Sequence, residues 1–195
     1  MSSPPTPEAP GAEIRLPAAA LVLLVGISGS GKSTFAGRHF LPTQVLSSDV
    51  LRGVVADDPN DQTATDAAFE LLHTIASLRL ARGRLCVVDA TSVEQWPRGR
   101  LLALARRHRR PAAAIVLDVP IEVVLARNAV RTDRRLPPAA IRRQARWMAR
   151  STESLGQEGF APVWTLASVH AVDRVRVVVE ERQSSTAEES ATSRT

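Results

Sequence analysis

Apolar and polar residues alternate in blocks along this chain, and the block lengths predict the elements. Ala20–Val25 (ALVLLV) is apolar throughout, the pattern of a strand buried on both faces. Lys32–Phe40 follows as a short helix that stops ahead of Pro42, and Gln44–Leu46 reads as a brief second strand. Thr63–Arg82 carries Ala67, Ala68, Leu71, Leu72, Ile75, Leu78 and Leu80 at helical spacing and ends at Gly83. Leu85–Val88 predicts a third strand, and Trp96–His108 a basic amphipathic helix. Ala113–Leu117 predicts a fourth strand, and Ile121–Val130 a helix with Pro120 suited to its first turn. Leu136-Pro137-Pro138 breaks the chain, Ala139–Leu155 resumes as a helix, and Val163–Leu166 is a fifth strand. Val169–Glu181 fits helix and strand alike. Strands alternating with helices predict an α/β fold, a mainly parallel five-stranded sheet covered on both faces.

One domain is expected over residues 16–182. Residues 1–15 are rich in proline and small side chains, and residues 183–195 in Ser, Thr and Glu, so both read as disordered tails. The longest apolar stretch, Leu16 to Ile27, falls short of the ~20 residues of a membrane span. The N-terminus lacks the pattern of a secretory signal. Cys86 is the only cysteine, which excludes an internal disulfide and a multi-thiolate metal site. It sits in an apolar strand and reads as a core residue, and a reducing cytoplasm is the expected location.

Charge is unevenly placed. Residues 98–150 carry 14 arginines against Asp118, Glu122 and Asp133, net +11, whereas the flanking segments are each net −3. A phosphate-rich ligand would be drawn to such a block, and an arginine-biased composition would produce it without one. The same bias isolates Lys32, the single lysine beside 24 arginines. A compact ammonium differs in kind from a planar guanidinium, so the exception marks a place where a fork would not serve.

Lys32 belongs to Gly26-Ile27-Ser28-Gly29-Ser30-Gly31-Lys32-Ser33, a full match to G-x-x-x-x-G-K-[ST] between a buried strand and a helix. Its glycines let successive N–H groups, through Thr34, converge on an anion at a helix N-terminus. Lys32 would reach the β- and γ-phosphates of ATP or another NTP, and the Ser33 hydroxyl would ligate Mg²⁺. Asp49, in Ser47-Ser48-Asp49-Val50-Leu51-Arg52, follows the second strand, where ligands bind in an open parallel sheet. It could act as general base toward an attacking hydroxyl, with Arg52 one turn on to orient it; alternatively Ser48 or Asp49 caps the next helix. Asp89 ends the third strand, where it could hold Mg²⁺ or cap a turn. Asp118 ends the fourth, and Pro120 beside it favours a cap. Arg127, Arg131, Arg134 and Arg135 share one face if their helix continues, as would stabilisers of a transferring phosphoryl group. The Pro137-Pro138 break makes residues 127–150 a candidate helical lid. Trp147, among Arg143, Arg146 and Arg150, is either a helix-packing anchor or a base platform.

The succession GxSGSGKSTF, VLSSDVLRG, NDQTATDAAFELLH, VVDAT and RNAVRTDRR resembles the kinase module of bacterial polynucleotide kinases, from about Leu21 to Val179 and including Glu158-Gly159-Phe160. These are 5′-hydroxyl kinases of nucleic-acid end repair, often fused to phosphatase and ligase domains. The resemblance implies a three-layer P-loop kinase fold, ATP and Mg²⁺ as cofactors, and a 5′-hydroxyl DNA or RNA end as acceptor. It implies Asp49 as general base, Arg52 on Asp49 and the adjacent phosphate, and Arg127 and Arg134 gripping the donor phosphates. Gln62 would touch the acceptor strand. Ser92 stands where the family commonly has Asn, and separate phosphatase or ligase partners would be needed for repair. A P-loop kinase for a small hydroxylated metabolite, nucleotide-sugar or antibiotic shares every donor-site motif. A slowly hydrolysing regulatory protein would share the P-loop without needing Asp49.

Overall fold

The computed structural model describes residues 12–91, 95–132 and 135–180. Leu21–Val25 (β2) has every side chain wholly buried, which only the middle of a sheet covered on both faces permits. On one side it pairs with Cys86–Asp89 (β4), and beyond that lies Val45–Ser47 (β3). On the other it pairs with Ala112–Leu117 (β5), and then Val163–Leu166 (β6). All four pairings are parallel, in the order β3-β4-β2-β5-β6. The chain leaves β2 toward one edge and later returns to the other. A crevice therefore opens at the C-terminal end of β2, the switch point where such sheets bind ligands.

Helices cover the sheet: Lys32–His39 (α1), Ser48–Ala56 (α2), Thr65–Ala81 (α3), Gln95–Arg107 (α4), Ile121–Ala129 (α5), Pro138–Ser151 (α6), Leu155–Glu158 (α7) and Val169–Arg174 (α8). Each strand thus leads into or out of a helix, as the alternation predicts. The core joins the five strands to Phe35, Leu72, Leu80, Leu101, Ile141 and Phe160, all almost wholly buried. Among the described residues, no helix is long and apolar enough to cross a membrane.

Several expectations need correction. Residues 13–15 are not tail: Glu13–Leu16 (β1) pairs in parallel with Arg176–Val179 (β7) as a separate two-stranded sheet, with Ile14 and Leu16 fully buried. The ambiguous Val169–Glu181 contains both structures, α8 and then β7. The helix expected to carry Arg127, Arg131 and Arg135 on one face ends at Ala129, and Val130 is its C-cap. Asn128 closes that end, donating from Nδ2 to the Leu136 carbonyl and accepting the Leu136 N–H. The helix expected to reach Leu155 stops at Ser151, and α7 takes up the remainder. Asp118 is exposed and does not cap: α5 has Pro120 at its N-cap and no side-chain cap.

Candidate active site

The phosphate loop spans from the end of β2 into the first turn of α1. Two glycines show why its sequence is constrained. A Cβ on Gly26 would lie 2.5 Å from Ser30 Oγ and 3.1 Å from the Leu117 carbonyl oxygen, so the loop packs on β5 with no room for a side chain. Gly31, the N-cap of α1, has φ +98°, a conformation that costs other residues about 1–2 kcal/mol. Lys32 is only 8% exposed. Its Nζ donates to the carbonyls of Gly26 (2.9 Å) and Ile27 (3.0 Å), which folds the ammonium back across the loop. A point charge with rotatable donors can make that turn inside its own loop, and a rigid planar fork cannot. The lone lysine thereby acquires a geometric reason.

Ser28 through Thr34 line a cavity of about 420 Å³, together with Ser48, Asp49, Asp89, Thr91, Arg127 and Arg131. Gly26 lies behind the loop, as its packing requires. Arg127 stands over the loop, its Nη1 3.7 Å from where a Gly31 Cβ would be. Arg131 reaches the same cavity from the turn beyond α5. Arg134 and Ser92 lie outside the described residues.

On the opposite wall, α2 starts at the end of β3. The capping role weighed for Ser48 or Asp49 falls to Ser47, whose Oγ accepts the Val50 N–H at 3.5 Å. Asp49 in the first turn pairs with Arg52. Arg52 is 4% exposed and also donates from Nε to the Pro59 carbonyl at 3.0 Å, so its guanidinium is anchored while Asp49 stays half-exposed at the cavity. Asp89 is buried beside it, since β4 pairs with both β3 (Ser47 opposite Asp89) and β2 (Leu24 opposite Asp89). Gln62 is not brought to the cavity: it is exposed, and its Nε2 donates to the Asn60 carbonyl at 2.9 Å. Next to it, hydrogen bonds from the Thr63 side chain and N–H hold the Asp61 carboxyl below the usual range.

Three residues emerge that sequence patterns did not single out. Arg38 of α1 and Asp173 of α8 both line the cavity and pair there, Nη1 and Nη2 each 3.2 Å from Oδ1. Gln144 of α6 accepts the Ser28 N–H on Oε1 at 2.9 Å, tying the expected lid helix to the phosphate loop. Its signal was a polar residue on the apolar face formed by Ile141, Ala145 and Met148.

The arrangement is polarised. Cations gather around the loop (Lys32, Arg127, Arg131, and Arg38 with its partner Asp173), and two further carboxylates stand at the β3–β4 end (Asp49, Asp89). The residues fit a nucleoside triphosphate: a backbone cradle at a helix N-terminus, an ammonium and two guanidinium groups. They also fit Mg²⁺, a hard cation that prefers oxygen and few protein ligands, through the Ser33 hydroxyl and the Asp89 carboxylate.

Among curated proteins no sequence relative matches. Solved structures do. A chain of the Pnkp1/Rnl/Hen1 RNA repair complex is similar at 21% identity and TM-score 0.60, over 69% of this chain and 45% of that one. The match thus spans less than half of that chain's length. A gluconokinase from Sinorhizobium meliloti 1021 is similar at 18% identity and TM-score 0.51, over 80% of this chain and 87% of that one. Chaetomium thermophilum Kti12, solved with ADP-AlF3, is similar at 15% identity and TM-score 0.58, covering 78% and 93%. The likenesses establish the P-loop kinase fold. A family model described as an AAA domain, AAA_33, matches residues 21–154, from β2 to just beyond α6, and the chain belongs to that family.

Proposed function

We propose that this chain is an ATP-dependent polynucleotide 5′-hydroxyl kinase. The observation that carries the reading is the Asp49–Arg52 pair facing the phosphate loop across one cavity. A carboxylate held beside a buried guanidinium suits an acceptor that presents a hydroxyl next to a phosphate, as a 5′ nucleic-acid end does. The motif resemblance from Leu21 to Val179 supports the same acceptor, and an RNA repair protein is among the structural neighbours.

Lys32, the loop N–H groups, Arg127 and Arg131 would bind the triphosphate, with Ser33 and Asp89 holding Mg²⁺, which when bound neutralises charge on the phosphates. Asp49 takes the proton of the 5′-hydroxyl. The hydroxyl oxygen forms its bond to the γ-phosphorus as the bond to the β–γ bridging oxygen breaks, and ADP leaves with that electron pair. Arg52 orients Asp49 and neutralises the acceptor's neighbouring phosphate. The arginines above the loop stabilise charge on the equatorial oxygens in flight.

A small hydroxylated acceptor is the second reading, because the gluconokinase is matched over nearly its whole length. The experiment is label transfer from γ-³²P-ATP with Mg²⁺ to a 5′-hydroxyl oligonucleotide, a 5′-phosphorylated control and gluconate. Label on the 5′-hydroxyl strand alone is expected. Asp49→Asn should then lose about 10²–10⁴-fold in turnover with ATP affinity nearly unchanged. Label on gluconate alone would overturn the acceptor, and full turnover in Asp49→Asn would overturn the base.

A further inference from the structure

The arginines of the basic block differ in what holds them. In α4 and the turn after it most are bonded to the fold, Arg107 and Arg109 excepted. Arg98 pairs with Glu158, Arg106 donates to the Glu158 carbonyl, and Arg110 donates to the Leu80 carbonyl. Those of α6 are not. Ile141 and Met148 are buried beneath the helix and Gln144 is spent on the phosphate loop, so one face is fully committed inward. At about 100° per residue, Arg142, Arg146, Arg150, Arg143 and Trp147 span roughly 140° on the opposite face. All four arginines are exposed, and among the described residues none is in an ion pair or donates a hydrogen bond. No acidic residue occurs between Leu136 and Thr152. Trp147 is 40% exposed, with the Arg143 guanidinium 5.5 Å from its ring centroid.

A helix needs neither four uncompensated like charges nor a half-exposed indole for its own stability. Like charges at i, i+4 spacing, as in Arg142–Arg146–Arg150, destabilise it slightly. Regular cations with an aromatic ring among them match a polyanion that carries bases: the cations track the phosphates and the ring stacks a base. We propose that the outer face of α6 is a binding surface for single-stranded nucleic acid, holding the acceptor chain beyond its reacting end. The proposal rests on the polynucleotide reading of the active site. It adds a contact surface on the lid helix, on the face turned away from the phosphate loop. Long acceptors would therefore be favoured over short ones, because only they reach both places.

The test uses the full chain and two probes, a long 5′-hydroxyl oligothymidylate and 5′-hydroxyl dithymidylate. Fluorescence anisotropy measures affinity against salt, and label transfer gives KM and kcat. Combining Arg142→Ala, Arg146→Ala and Arg150→Ala should lower the slope of log affinity against log salt by about 2, since each phosphate contact contributes about 0.7 on single strands. It should raise KM for the long probe about tenfold and leave kcat and the dithymidylate KM unchanged. Trp147→Ala should weaken the long probe at least about fivefold with the salt slope intact, the signature of stacking. An unchanged slope and KM in the triple variant would overturn the surface even if the enzyme labels both probes. If wild type labels neither probe but the triple variant still loses salt-dependent binding, the surface stands and the acceptor assignment falls. Loss of binding to phosphatidylserine vesicles with oligonucleotide affinity intact would assign the face to a membrane and overturn the proposal.

Discussion

Removing the Glu158 carboxylate should be among the most damaging single changes in this molecule. Among the described residues Arg98 is the largest fully buried side chain, and its partner's side chain is only 5% exposed. The pair is bidentate, Nε to Oε2 at 2.9 Å and Nη2 to Oε1 at 2.5 Å. Ser151 accepts from the guanidinium on both Oγ and its carbonyl at 3.3 Å, and Ser154 Oγ donates to Oε1 at 2.6 Å. This cluster ties α4 to α7 and to the last turn of α6. Glu158→Gln turns an amide N–H toward a guanidinium N–H and leaves a buried cation uncompensated, a situation that costs about 3–5 kcal/mol. At roughly 2–4 °C per kcal/mol for a domain of this size, the melting temperature should fall by roughly 6–20 °C. Combining Arg98→Met with Glu158→Leu removes both charges and should recover most of the loss, because a buried pair replaced by apolar groups is often neutral. The pH dependence has a definite sign. Burial pushes the Glu158 carboxyl up, but the hydrogen bonds from Arg98 and Ser154 outweigh it, and its pKa is lowered. Its contribution is therefore fully present above the ordinary carboxylate pKa of about 4.3 and is lost as pH falls through the lowered value. Thermal and urea unfolding across pH would measure both effects. A loss below about 1 kcal/mol in Glu158→Gln at neutral pH would refute the reasoning, since that is the worth of an exposed bridge.

Other expectations follow from the same geometry. Gln144→Leu deletes the acceptor of the Ser28 N–H, worth about 1 kcal/mol, so KM for ATP should rise about fivefold with kcat nearly constant; a matching fall in unfolding stability would instead make Gln144 a packing residue. Gly31→Ala forces a side chain into a positive-φ N-cap under Arg127 and should abolish tight nucleotide binding while circular dichroism stays native; calorimetric titration with ATP at wild-type affinity would contradict this. Burial pushes the Cys86 thiol up to about 12, so a thiol reagent at pH 8 should label it only at the rate of unfolding. Rapid stoichiometric labelling of native protein would show that the β4 strand opens.

How much was legible in advance depended on whether the governing physics was local. The central strand announced itself because five fully buried residues must all be apolar, and the phosphate loop because a backbone cradle needs glycines at set positions. Lys32 stood out from composition alone. The fold class, the five-stranded parallel sheet and the placing of Asp49 and Asp89 at strand ends followed from alternation and apolar runs. What escaped was decided by partners far away in sequence. Four residues such as Glu13–Leu16, beside a proline-rich segment, carry too little pattern to declare a strand; it forms because β7, more than 150 residues on, supplies its hydrogen bonds. The reach of Arg131 depended on where α5 ended, and Asn128 settled that by bonding Leu136 across the turn. Spacing also could not separate the arginines that brace the fold from those facing solvent, since both are written with the same letter. Arg98 is wholly buried because Glu158 and Ser151 converge on it, whereas Arg146 is exposed because nothing does. The sequence by itself determined the loop, the sheet and the kind of anion this protein is built to hold. Tertiary structure alone decided which charges remained to act outward, because desolvation and pairing depend on who the neighbours are.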